Sequence, residues 1–176
     1  MRKAALVLVP FIVAVLCIGA SAQAPDLKFV GAKVGLITYL DGGIPFGASF
    51  EMPLKAVNPN LTGGAQFMYQ SWTTSYGFFD ATYSDMLISV FGAYYVDVLK
   101  MDKLKTYGKL HLGYRVESVT LKSTSPWFTN GAVASGSEFL FAFNVGAKYM
   151  ITSNFAGTVE LGYGISVLQL GLEYGF

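Results

Sequence analysis

The chain has 176 residues, room for one domain of ordinary size. Hydrophobic residues make up 53% and charged residues 13%, against about 25% charged in a typical soluble domain. The formal net charge of +1 gives no electrostatic footprint for nucleic acid, and after the first twenty residues no apolar run is long enough to cross a membrane as a helix.

The first element reads as an export signal. Arg2 and Lys3 precede an apolar run from Ala4 to Ile18, and Ala20-Ser21-Ala22 has the small-x-small form of a cleavage site. The expected mature chain therefore runs from Gln23, with residues 1–22 removed. Taking Arg2 and Lys3 from the 12 basic residues leaves 10 against 11 acidic ones. Cys17 lies inside this segment behind Leu16, where lipidation would want a small residue, so the mature chain is expected to carry neither lipid anchor nor disulfide.

Eight segments then alternate apolar and polar residues with a period of two, the pattern of strands with one apolar face. The first runs from about Phe29 to Tyr39, with Val30, Ala32, Val34 and Leu36 on one face. After the turn Asp41-Gly42-Gly43, the second (Pro45 to Leu54) sets Phe46, Ala48, Phe50 and Met52 against Gly47, Ser49 and Glu51. The third (Thr62 to Thr73) sets Ala65, Phe67 and Tyr69 against Gly64, Gln66 and Gln70. A polar-aromatic loop is expected from Ser75 to Ser84. The fourth (Asp85 to Val98) is the least regular, with Leu87, Phe91 and Tyr95 beside Ser89 and Asp97 on one face.

Beyond the charged turn Lys100 to Lys105, the fifth segment (Thr106 to Thr120) alternates Leu110, Leu112, Tyr114 and Val116 with Lys109, His111, Gly113, Arg115 and Glu117. The longest loop is expected between Leu121 and Gly136. The sixth (Ser137 to Met150) sets Phe139, Phe141, Phe143 and Val145 against Glu138, Asn144, Gly146 and Lys148. The seventh (Phe155 to Gly164) carries Val159 and Leu161 opposite Thr158 and Glu160. The eighth (Val167 to Phe176) carries Leu170, Leu172 and Tyr174 opposite Gln169, Gly171 and Glu173.

An even number of strands that are neither helical spans nor a soluble composition points to an all-β fold, an eight-stranded antiparallel transmembrane up-and-down barrel. Closure is required because lipid cannot satisfy an open sheet edge. The ending Gln169-Leu170-Gly171-Leu172-Glu173-Tyr174-Gly175-Phe176 resembles the C-terminal assembly signal of outer-membrane proteins, matching at Gln169, Gly171, Tyr174 and Phe176. The chain as a whole resembles the small OmpA/OmpX-like outer-membrane β-barrels. That resemblance implies a bacterial outer-membrane location, lipid bilayer and lipopolysaccharide as surroundings, and the barrel-assembly machinery as a biogenesis partner. It also implies periplasmic termini and short periplasmic turns.

The polar face carries the candidate site, a barrel-interior network of Lys33, Glu51, Lys109, His111, Arg115, Glu117, Glu138, Lys148, Glu160 and Glu173. Six of these (Lys33, Lys109 and Lys148 with Glu51, Glu160 and Glu173) are expected in one balanced layer, because a buried charge needs a partner. Strand adjacency predicts Glu173 beside Lys33 and Glu160 beside Lys148. His111 would need a nearby serine and carboxylate for lipid-modifying chemistry; the residues right after it, Leu112-Gly113-Tyr114, hold no serine, which leaves only partners distant in sequence. No cofactor, metal or catalytic residue is expected. The leading reading is a non-enzymatic barrel serving envelope integrity or surface interaction. The alternatives are a small passive channel, a lipid-modifying enzyme, and a soluble lipocalin-like carrier with its apolar face inward. The loop aromatics Tyr76, Phe78, Phe79, Tyr83, Trp127 and Phe128 fit either a membrane girdle or a binding surface.

Overall fold

In a computed structural model of the chain, residues 24–37, 43–77, 79–123, 131–164 and 166–176 are described. The expected signal peptide (1–22), Cys17, the turn at 41–42, Phe78, Trp127 and Phe128 lie outside them. Eight strands follow in order: β1 (Phe29–Ile37), β2 (Phe46–Pro53), β3 (Leu61–Ser75), β4 (Phe79–Met101), β5 (Leu104–Ser123), β6 (Gly131–Met150), β7 (Phe155–Tyr163) and β8 (Leu168–Gly175). Each pairs antiparallel with the next, and β1 with β8, closing the barrel.

The two faces of every strand are sorted in the reverse of a soluble protein. On β5, Leu110, Leu112 and Tyr114 are exposed while Lys109 and His111 are 1% and 0% exposed. The same parity exposes Val90 of β4, Phe141 of β6, Val159 of β7 and Leu172 of β8. An exposed apolar belt that continues round the whole barrel is stable against hydrocarbon and unstable against water. The lipocalin-like arrangement, with apolar residues inward, is therefore corrected: the apolar sets face out.

The register fixes the strand tilt. From Lys33, paired residues lead through Gly47, Met68, Leu87 and Arg115 to Glu138 on β6. In the other direction they lead through Gly171 and Thr158 to Lys148 on the same strand. Those two endpoints are ten positions apart, so the sheet closes with a shear of ten. Shared over eight strands, this displaces residues of equal height by about 1.25 positions per strand, which tilts the strands by about 40°.

The middle strands are longer than the sequence pattern suggested. Pairing to β2 stops at Tyr69 and pairing to β7 stops at Phe143, yet β3 to β6 continue pairing among themselves above those points. The expected loop at Ser75–Ser84 is in fact the end of a hairpin, with β3 running to Ser75, β4 starting at Phe79 and the Tyr76 amide donating to the Phe79 carbonyl. Most of the expected Leu121–Gly136 loop is strand as well. The reason is side-chain chemistry: this stretch alternates hydroxyls with aromatics, and Thr, Tyr, Phe and Trp favour pleated backbone. Thr73 and Thr82 hydroxyls meet at 3.0 Å on the side that continues the lipid face. Trp72 stacks on Tyr83 at 5.2 Å on the side that continues the interior, and Tyr76 stacks on Phe79 at the tip.

At the opposite end, where the described N- and C-terminal residues meet, Ala24, Ala93, Tyr95 and Tyr107 form a small apolar floor. The amide and carbonyl of Lys28 exchange hydrogen bonds with those of Phe176.

Candidate functional site

Alternation brings polar side chains from all eight strands onto one narrow axis. Their lengths and the strand tilt decide who meets whom. Glu160 of β7 accepts from Lys33 Nζ at 2.5 Å, from Lys109 Nζ at 2.6 Å and from the Tyr107 hydroxyl at 2.8 Å, all on Oε1. Its Oε2 accepts from Asn144 Nδ2 at 3.0 Å. Glu51 of β2 accepts from Lys148 Nζ at 2.9 Å on Oε2, and from Thr62 Oγ1 and the Tyr95 hydroxyl at 2.7 Å each on Oε1. Lys148 also lies 2.8 Å from Glu173. A longer contact of 3.8 Å from Lys33 to Glu173 joins the two groups.

The six charges thus form two connected tiers where one layer was expected. Lys33 and Lys109 surround Glu160 in the upper tier, and Glu51 and Glu173 flank Lys148 in the lower. The predicted approach of Glu173 to Lys33 is present. The predicted Glu160–Lys148 pair is corrected: Lys148 turns to Glu51 and Glu173. Adjacent strands suggested the pair, but the tilt sets Lys148 several ångströms below Glu160. At Glu160's height β6 instead presents Asn144. The tiers carry +1 and −1, so their alternation along the axis compensates each excess.

Aromatic faces complete the lysine environments. Lys109 Nζ sits 4.4 Å from the Phe91 ring centre, and Lys148 Nζ sits 4.0 Å from that of Phe29. A desolvated ammonium gains from an aromatic face as well as from carboxylates. Phe91 and Tyr95 had looked like irregularities on the fourth strand's polar face; they are the walls and donors of this network. Tyr107, Thr62 and Asn144 were also missed as members. Their signal was parity, since each shares the face of the charged residues on its strand.

Small residues make the space. A Cβ on Gly146 would lie 2.7 Å from the Tyr107 ring, and one on Gly171 would lie 2.4 Å from Thr158 Oγ1 and 3.2 Å from Lys33 Cγ. Gly171 and Gln169, two of the four positions expected to form an assembly signal, therefore also belong to the interior. Gln169 is buried and its carbonyl oxygen accepts from Gln66 Nε2 across the lumen at 3.1 Å. The other two, Tyr174 and Phe176, are exposed, with Tyr174 against Phe155.

A second cluster stands at the mouth beside the raised sheet. Arg115 Nε and Nη2 grip Asp85 at 2.9–3.0 Å, and its terminal nitrogens reach Glu117 at 2.9 Å and Glu138 at 3.3 Å. Glu117 and Glu138 are exposed, so they belong to the rim and not to the sealed interior. Gln70 Nε2 donates to Asp85 at 2.9 Å. Asp85, which begins the fourth predicted strand, is the bidentate partner that sequence reading did not assign.

His111 is fully buried, and the fold does bring it a serine: Ser89 Oγ lies 3.2 Å from Nδ1. Both side chains are buried inside the wall beside Phe91. That burial closes them to a lipid acyl or sugar substrate, and among the described residues no carboxylate hydrogen-bonds the ring. The pair has the contact of a catalytic dyad without its exposure. Among the described residues no cluster of metal-ligating side chains occurs.

No family model matches the chain, and no curated protein matches it by sequence. Solved structures do resemble it. The N-terminal β-barrel domain of Pseudomonas aeruginosa OprF aligns with a TM-score of 0.55 at 16% identity, over 88% of this chain and 100% of that one. Ail, the attachment invasion locus protein of Yersinia pestis, aligns with a TM-score of 0.56 at 13% identity, over 85% and 97%. Ail has also been solved in complex with the heparin analogue sucrose octasulfate. A major outer membrane protein from Thermus thermophilus aligns with a TM-score of 0.58 at 15% identity, over 86% and 100%. At such identities the likeness establishes the fold alone, the closed eight-stranded antiparallel β-barrel that the chain shares with these outer-membrane proteins.

Proposed function

We propose that the chain is exported, loses residues 1–22, and works from Gln23 onward as a non-enzymatic barrel of the bacterial outer membrane, serving envelope integrity or surface interaction. The observation that carries this reading is the two-tier ion cluster. An eight-stranded wall leaves an interior just wide enough for its own side chains, and here three lysines and three glutamates from β1, β2, β5, β6, β7 and β8 lock across it. Such a plug favours a structural element over a passive channel, which is the second reading. The sealed Ser89–His111 pair argues against a lipid-modifying enzyme.

The raised part of β3 to β6 supports a role at the cell surface, because a paired sheet held clear of lipid is a rigid platform for contacts. Its charged groups are Asp80, Asp85, Glu117 and Glu138 against Arg115 and Lys122. That acidic excess disfavours a sulfated polyanion as its ligand. Lipopolysaccharide surrounds the outer half of the belt, and Gln169, Gly171, Tyr174 and Phe176 engage the barrel-assembly machinery during insertion. The test is twofold. Vesicles containing the refolded barrel should resist swelling in small sugars, and deleting the gene should sensitise cells to detergents that the outer membrane excludes. Sugar-permeable vesicles would favour the channel instead.

A further inference from the structure

The charges are not evenly paired over the molecule. The three interior lysines and Arg115 all hold carboxylates, and Lys55 is bridged to Asp26 at 2.6 Å. Lys100, Lys103 and Lys105, all in the hairpin between β4 and β5, have no carboxylate within 4.0 Å among the described residues. This hairpin lies at the end of the barrel that holds Ala24 and Phe176, the first and last described residues. The described residues there comprise Lys28, Lys55, Lys100, Lys103 and Lys105 against Asp26, Asp97 and Asp102, a surplus of two positive charges. The mouth at the other end carries the acidic surplus.

The same hairpin breaks the ladder. Val96 pairs with Thr106 and Met101 with Leu104, so five steps on β4 face two on β5, and the three extra residues bulge out. Lys100 takes a left-handed backbone with φ 50°, a conformation that a residue with a Cβ adopts at some cost. The bulge leaves Val98, Leu99 and Met101 49%, 55% and 51% exposed directly beside the lysines. Just round the rim, Ile151 and Phe155 of the β6–β7 turn are exposed as well. Apolar side chains among unpaired cations suit a boundary between acyl chains and anionic headgroups, where the chains take the former and the ammonium groups take the latter. The apolar part is continuous with the lipid-facing belt, which fixes the depth at which the hairpin meets the leaflet.

We infer that the β4–β5 hairpin is a binding site for anionic phospholipid in the periplasmic leaflet, with Val98, Leu99 and Met101 entering the interface and the exposed Lys100 and Lys103 holding headgroup phosphate, while Lys105, paired across the sheet with Lys148, keeps to the interior face. The inference rests on the outer-membrane reading and gives it a defined lipid contact. It predicts an annulus enriched in acidic lipid at this side of the barrel only.

The test is quenching of a single indole at the bulge, Val98→Trp, in a chain with Trp72 and Trp127 replaced by Phe. The barrel is refolded into phosphatidylcholine vesicles containing a minor share of brominated phosphatidylglycerol or, separately, brominated phosphatidylcholine. At low salt the glycerol lipid should compete for the indole's surroundings at least about fivefold better, the gain expected of one lysine near an anionic surface. The preference should collapse at high salt, through screening, and in the Lys100→Gln, Lys103→Gln variant. Equal quenching by the two lipids overturns the inference, as does a preference that survives both salt and the double substitution. No quenching by either places the hairpin in water, where an anionic polymer such as peptidoglycan or a soluble protein would be its partner, and overturns it too. Heat-dependent gel mobility of the same sample reports whether the barrel has folded. A folded barrel without lipid preference sinks this inference and leaves the barrel reading standing.

Discussion

Replacing Glu160 by alanine removes the acceptor on which the upper tier converges. Four donors lose their partner at once: Lys33, Lys109, Tyr107 and Asn144. Lys33 retains Glu173 at 3.8 Å, whereas Lys109 has no other carboxylate within 4.0 Å among the described residues. At least one fully buried ammonium is then left unpaired, which costs about 3–5 kcal/mol where water cannot reach it. Adding Lys109→Ala removes that stranded charge and should return about 1–3 kcal/mol, the range for residues sharing one network. Adding Lys148→Ala should return clearly less, because Lys148 serves Glu51 and Glu173 in the lower tier. The assay is urea unfolding of the barrel in lipid vesicles, followed by tryptophan fluorescence, for the three variants and their parent. An unfolding midpoint for Glu160→Ala equal to that of the parent would refute the reasoning. So would a coupling to Lys148 as large as that to Lys109, since it would mean the tiers do not exist.

Further outcomes follow from the same geometry. Val90→Arg or Phe141→Arg, which put a charge on the lipid-facing belt, should destabilise the barrel by about 2–4 kcal/mol near the midplane in the same unfolding assay. Gly47→Ala should cost about 1–3 kcal/mol through overpacking, because its Cβ would fall 1.8 Å from the carbonyl oxygen of Phe67. Gly113→Ala should behave similarly, meeting the Ile88 carbonyl oxygen at 2.6 Å. Phe176→Ala leaves the backbone exchange with Lys28 in place. It should therefore lower the yield of assembled barrel in cells while leaving refolding in detergent close to normal. Equal losses in both would make Phe176 a packing residue only.

Much of this was legible in the sequence because a barrel strand sorts its side chains with a period of two. The run from Leu110 to Val116 alternates cleanly, so the inward placement of Lys109, His111 and Arg115 could be read directly. Strand ends were not legible above the membrane. There the belt's apolar residues give way to Ser71, Thr73, Thr82 and Ser84, and a polar strand face looks like a loop when no apolar face contrasts with it. Pairing within the interior was only partly legible. Adjacency in the sheet brought Glu173 to Lys33, but the choice between Lys148 and Lys109 for Glu160 depends on the shear, which no single strand encodes. Tyr95 was hidden for another reason: tyrosine counts as apolar in a periodicity, although its hydroxyl donates to Glu51.

The central claim is that the ion tiers close the barrel, and current through a planar bilayer tests it most directly. The refolded parent protein should insert without producing steady open-channel current. Glu160→Ala, if it inserts, should leak through the loosened upper tier. A stable, reproducible conductance from the parent protein would contradict the account and make the interior a pore.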